Sequence, residues 1–137
     1  MSMSALRELD SRLDSEDTAV VLAAVWDVFG VATELCDSIT FEEGSDELQA
    51  MLAAQKCSAG RDLLPLPEVG APVTAPPPGP GAAGLQPYVR LLEHAGESLH
   101  RILSSADSVG EGAARALSEA TALASGASVA LTRVRER

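Results

Sequence analysis

Glu93, Glu97 and His100 come nearest, by type and spacing, to a recognisable chemistry. Steps of four and three set them on one face of a helix. A Glu followed one turn later by Glu-x-x-His is how some helical bundles hold a pair of iron or manganese ions. A self-contained site of that kind needs a second Glu-x-x-His. The only other histidine, His94, has none, so the missing half would have to come from a second copy across a two-fold axis. The same face turns away from the apolar positions Leu92, Ala95 and Leu99, toward solvent. Charged residues on a wet helix face are the simpler reading.

Other reactive side chains form no constellation. Serines are numerous but none sits in a G-x-S-x-G elbow. Cys36 and Cys57 fit no metal or redox spacing and fall at apolar helical positions, which predicts buried free thiols. Gly79 to Gly84 is glycine-rich, but it lacks the preceding strand and the lysine of a phosphate loop. No cofactor is implied, and the chain reads as non-enzymatic. The arginines at 133, 135 and 137 serve most simply to offset a C-terminal helix dipole.

Charge narrows the partners. The 137 residues carry 20 acids and 10 bases, and 13 of those acids lie in residues 1–64 against four bases. Such a field repels phosphate backbones and anionic lipid, so no nucleic acid and no membrane is expected; a basic protein partner suits it, though a solubilising surface is the simpler reading. Aromatics are limited to Trp26, Phe29, Phe41 and Tyr88, too few for stacking platforms. The N-terminus shows no charged segment followed by an apolar run. Thr18 to Val25, the most apolar stretch, reads as too short to span a bilayer. The expected location is cytoplasmic.

These features sit on an all-α frame. Residues 1–64 read as an acidic unit: a short helix marked by Leu6, Leu9 and Leu13, with Ser4 as its cap, then a helical hairpin. Ser15-Glu16-Asp17 can cap a helix over 18–39, where Val21, Val25, Val28, Ala32, Leu35 and Ile39 step by four and three. Glu42-Glu43-Gly44 breaks the pattern. Ser45 restarts it, with Leu48, Met51, Leu52, Gln55 and Ala59 as the expected core face of the second hairpin helix. Residues 65–84 hold seven of the eight prolines and read as a disordered linker.

In residues 85–137, Pro87 suits a first helical turn. From Tyr88 to Val134 a heptad register keeps every seam position apolar, through Leu92, Leu99, Ile102, Ala113, Ala120 and Leu123. The unbroken phase favours one long helix of about 70 Å. Ser104-Ser105 and the glycines at 110 and 112, with Ser108 and Glu111 as a capping box, argue for a break and a second hairpin. The expected architecture is therefore a hairpin plus a long C-terminal helix, or two hairpins, in a three- or four-helix bundle.

The functional expectation is a helical protein–protein interaction or assembly module: an adaptor, a complex subunit, or an antitoxin-like neutraliser of a basic partner. Its binding seams would be Val21, Val25, Val28, Leu35, Leu92, Leu99, Ile102, Leu117 and Leu131. The alanine-rich end further suggests a homo-oligomer, because an alanine face buries little area unless a second surface covers it. The alternative is a dimeric ferritin-like metal-binding protein using Glu93, Glu97 and His100. A cavity for an apolar ligand around Trp26 and Phe29 is a third reading.

Overall fold

A computed structural model describes residues 2–65, 73, 75–105 and 110–135. Among them are five α-helices and no strand: α1 (Ser2–Arg12), α2 (Thr18–Ile39), α3 (Glu47–Asp62), α4 (Gln86–Ser104) and α5 (Glu111–Val134). The all-α bundle expected from the sequence is present.

Helix starts follow the side chains available to satisfy their free amides. Asp17 accepts a hydrogen bond from the Ala19 amide and opens α2, and Asp46 accepts one from the Gln49 amide and opens α3. The cap of α3 is thus one residue later than Ser45. Helix α1 begins at Ser2, ahead of its expected cap at Ser4. Between α2 and α3 the chain turns through Gly44, whose φ of 88° suits a residue without a Cβ.

Helix α2 packs on α3 and α4, and α5 packs on α3 and α4, which gives a four-helix ring with α1 laid over α2 and α4. Neighbours in the ring run antiparallel. The Asp46 amide donates to the Val134 carbonyl at 2.8 Å, joining the start of α3 to the end of α5. Ser98 Oγ donates to the Leu13 carbonyl at 3.0 Å, joining late α4 to the chain just before α2. Because α3 and α4 then run the same way, their connection must return along the bundle's whole length. This explains why the proline-rich stretch is long.

Parts of that stretch are held against the bundle, where the sequence suggests a free, disordered tether, while Pro77 and Gly79 to Ala83 are exposed. Val73 and Ala75 lie against the core, Pro76 is buried, and Tyr88 donates its hydroxyl to the Pro76 carbonyl. Arg135 Nη1 donates to the carbonyls of Gly79 at 2.8 Å and Gly81 at 3.1 Å. Backbone carbonyls outside a helix are free to accept, and Tyr88 supplies a donor to Pro76 and Arg135 to the two glycines. Residues 66–72 and 74 lie outside the described residues.

The C-terminal part is a hairpin, so the single long helix favoured by the heptad phase gives way. Helix α4 stops at Ser104 and α5 restarts behind Gly110; Ser108, the expected cap, lies outside the described residues. The expected seam positions Ala120, Ala127, Ala130 and Val134 are buried, so the register holds over much of α5 and lapses at Ala113 and Leu123. The buried face of α5 runs through Leu117, Ala120, Ala124, Ala127, Leu131 and Val134, while Ala113 is exposed and Leu123 only half-buried. Gly96 of α4 faces α5 across this contact: a Cβ there would lie 3.6 Å from that of Ala124, at ordinary van der Waals distance.

Helix α2 spans 22 residues with a mean hydropathy of 1.8 in its most apolar window. By length and composition it could cross a bilayer, unlike the shorter Thr18–Val25 run, and half of that window is buried inside the bundle. The first and last thirds of the chain share one core, from Leu6 and Val25 to Leu99 and Leu131.

Candidate functional site

The outer face of α3 departs furthest from what the sequence implies. The helix buries Ala50, Ala53, Cys57 and Gly60. It exposes Leu48 at 78%, Met51 at 55% and Leu52 at 40%. With Gln55 and Ala59, also exposed, these residues form a stripe at helical spacing on the side opposite the core. The expected core face is therefore the solvent face.

Packing explains the inversion. Helix α3 is wedged between α2 and α5, and small residues let helix axes come close. A Cβ on Gly60 would fall 2.7 Å from Phe29 Cζ, so the glycine makes room for that buried ring. A Cβ on Gly126 of α5 would lie 3.1 Å from Lys56 Cδ, so the lysine stem lies across the α3–α5 contact. Leu48 or Met51 could not enter such a space.

Phe41, 81% exposed, lies at the same end of the α2–α3 hairpin as Leu48. Exposed Glu42, Glu43, Asp46 and Glu47 surround that end. Glu42 receives Arg135 Nη2 at 2.9 Å. The two bases of α3 are turned elsewhere. Lys56 lies along Gly126, and Arg61 stacks over the Trp26 ring at 3.5 Å from its centroid, above the Cβ-free surface of Gly30.

The metal reading gains no geometry. Glu93, Glu97 and His100 are all exposed on α4. Glu93 and Glu97 line a groove of about 480 Å³ between α4 and α5, with Thr121, Ser125, Ser128 and Val129, and His100 is not among its lining residues. Among the described residues no group of three or more His, Cys, Asp or Glu side chains is arranged to hold a metal. The interior, where bundles of the ferritin-like kind place such ligands, is filled here by Val, Leu and Ala.

The histidine that does make specific contacts is His94. Its Nδ1 lies 2.6 Å from Asp10 Oδ1 and its Nε2 lies 2.8 Å from Asp14 Oδ1. Burial lowers its pKa, and the hydrogen bonds and charges of the two carboxylates outweigh that and raise it above 6.5. Arg101 Nη2 adds a bond to the Leu13 carbonyl at 3.0 Å, and Arg12 pairs with Asp27 at 3.1 Å. Together they fasten α1 to α4 and α2. Sequence reading missed this because Asp10 and His94 are 84 positions apart.

All nine expected seam residues, from Val21 to Leu131, are buried within the chain, with Ile102 the most accessible at 7%. They meet one another, so they form the fold's interior and present no surface to a partner. Ala120, Ala124, Ala127 and Ala130 of α5 are likewise buried within the chain, where α5 packs on α3 and α4, while Ala113 and Ala122 are exposed. Cys36 and Cys57 are buried and free, as read from the sequence. Burial pushes the Cys36 thiol up to about 12, with Asp37 adding to it, and pushes Cys57 further in the same direction. Both are chemically quiet. The space around Trp26 and Phe29 is taken up by Arg61 and by the packing of Phe29 onto Gly60.

Comparison with protein-family models, with curated proteins and with solved structures finds no match for this chain.

Proposed function

We propose that this protein is a non-enzymatic helical interaction module that receives a protein partner on the outer face of α3. The observation that carries the reading is the exposure of Leu48, Met51 and Leu52 on one helix whose other face is already packed. Large apolar side chains scattered singly on a surface need no explanation, but a stripe at helical spacing is a contact surface in want of a cover. The binding face therefore differs from the seams suggested by periodicity, which are used up in folding.

The chemistry of the remaining surface agrees with an interaction role. The two thiols are buried, and the acids of α4, Glu93 and Glu97, are exposed to solvent. Site-specific photo-crosslinking in the native host tests the reading. A photoreactive residue at position 51 should capture one discrete protein, while the same residue at exposed Glu119 of α5 captures none. Equal capture at both positions, or capture at 119 alone, overturns the assignment of the face.

A further inference from the structure

We infer that the occupant of the α3 face is a cationic amphipathic helix, with apolar residues in a stripe at helical spacing and Lys or Arg flanking them. This inference rests on the functional reading above and adds the chemistry of the partner. Two features set it: the shape of the apolar stripe and the sign of the charge around it.

The stripe runs along α3 through Leu48, Met51, Leu52 and Ala59. It is straight, about two to three turns long, and lies on a helix already packed on its other side. A helix laid alongside, with side chains at i, i+3, i+4 and i+7, fits such a ridge, which amounts to adding one more helix to the bundle. Exposed methionine accommodates side chains of varied shape, because its thioether stem is unbranched and flexible.

Charge selects among possible helices. At the N-terminal end of the stripe stand Glu43, Asp46 and Glu47, beside a Glu42 already paired with Arg135, and at its other end exposed Asp62. Lys56 and Arg61, the only bases of α3, are held at the contacts with Gly126 and Trp26 and do not balance this rim. A second copy of the chain would bring a net charge of −10 against −10, acid rim to acid rim, so self-association through this face is disfavoured. A basic helix gains on both counts: its apolar stripe covers the leucines and its flanks meet the carboxylates.

The test uses the full chain and four labelled synthetic peptides, followed by fluorescence anisotropy at fixed moderate salt. Three peptides share a leucine stripe at helical spacing and differ in their flanks: lysine, glutamine or glutamate. The fourth is the lysine peptide scrambled, with equal charge and no stripe. The lysine-stripe peptide should bind at least tenfold tighter than the glutamine-stripe and scrambled peptides, and the glutamate peptide should not bind. Leu48→Asp/Met51→Asp should weaken it at least tenfold, whereas Val129→Asp, at a 49% exposed position on α5, should not. Both variants add negative charge, so unspecific attraction would survive or strengthen in each. Equal binding of the scrambled peptide, or no loss in Leu48→Asp/Met51→Asp, overturns the proposal. Equal binding of the glutamine-stripe peptide overturns the cationic partner and leaves the face itself standing. No binding by any peptide overturns the helical occupant, and the position-51 crosslink then decides the reading beneath it. A dimer in light scattering that the double variant abolishes would identify the occupant as a second copy and overturn the inference.

Discussion

His94 Nδ1 stands 2.6 Å from Asp10 Oδ1, so a residue of α4 and a residue of the first helix share a hydrogen bond across most of the chain. Asp14 engages the opposite ring nitrogen at 2.8 Å. With a carboxylate at each nitrogen, both must donate for both bonds to form, which requires the imidazolium.

That geometry gives a pH dependence. The pKa of His94 is raised above 6.5 in the fold, because the two carboxylates outweigh the opposing effect of burial. Its contribution to stability is then full below the unfolded value of about 6.5 and is lost as pH rises through the higher folded value. The stability difference between wild type and His94→Gln should be largest in mild acid and shrink toward alkaline pH. Hydrogen exchange of α1 amides should quicken over the same range. An NMR titration placing the His94 midpoint at or below 6.5 would contradict this.

Gly60 and Gly112 should respond in opposite directions to alanine. A Cβ at Gly60 meets the buried Phe29 ring at 2.7 Å, and the ring cannot move freely. Gly60→Ala should cost about 1–3 kcal/mol by overpacking. At Gly112, in the first turn of α5, a Cβ meets nothing within 4 Å. Gly112→Ala should be neutral or stabilise by up to about 1 kcal/mol. Urea unfolding of the two variants separates these outcomes.

Leu99 and His100 are neighbours in sequence with opposite environments. Leu99 is 0% exposed in the core and His100 faces solvent. Leu99→Asp should lose about 4 kcal/mol or more, enough to unfold a marginal domain, because packing is lost and a carboxyl is buried without a partner. His100→Ala should stay within about 0.5 kcal/mol of wild type. Circular dichroism melts of both variants check the register of α4.

The return connection should contribute to stability. Replacing 75–84 by a Gly-Ser segment of equal length removes the Pro76 ring packing and the proline stiffness that aims the carbonyls of residues 76 and 79 at Tyr88 and Arg135. A drop of several degrees in melting temperature is expected. Tyr88→Phe alone should cost about 1 kcal/mol, the net worth of one hydrogen bond. An unchanged melting temperature in the Gly-Ser variant would return this stretch to the role of a passive tether.

Much of the frame was legible because local signals and packing agree. The four-and-three stepping from Val21 to Ile39 marked α2, whose bounds are Thr18–Ile39, and Leu6, Leu9 and Leu13 marked α1. The C-terminal register misled because a heptad phase continues in sequence whether or not the helix does, and here α4 ends at Ser104 and α5 begins at Glu111. The α3 face was misread for a related reason. Large apolar residues usually point inward, but here the gap between α2 and α5 admits only Ala, Cys and Gly. The His94 cluster was illegible because its partners, Asp10 of α1 and Asp14 just past its end, lie 84 and 80 residues away.

The orientation of α3 underlies the docking face, and the stability of a triple variant, Leu48→Gln/Met51→Gln/Leu52→Gln, tests it most directly. These side chains are exposed in the folded chain, so removing their apolar surface should leave the unfolding free energy within about 0.5 kcal/mol per site of wild type. Had they formed the core face that their spacing suggests, the same variant would forfeit about 2 kcal/mol or more for each side chain and would not fold. A triple variant that melts with wild type places the face outside; one that is unfolded at 25 °C contradicts it.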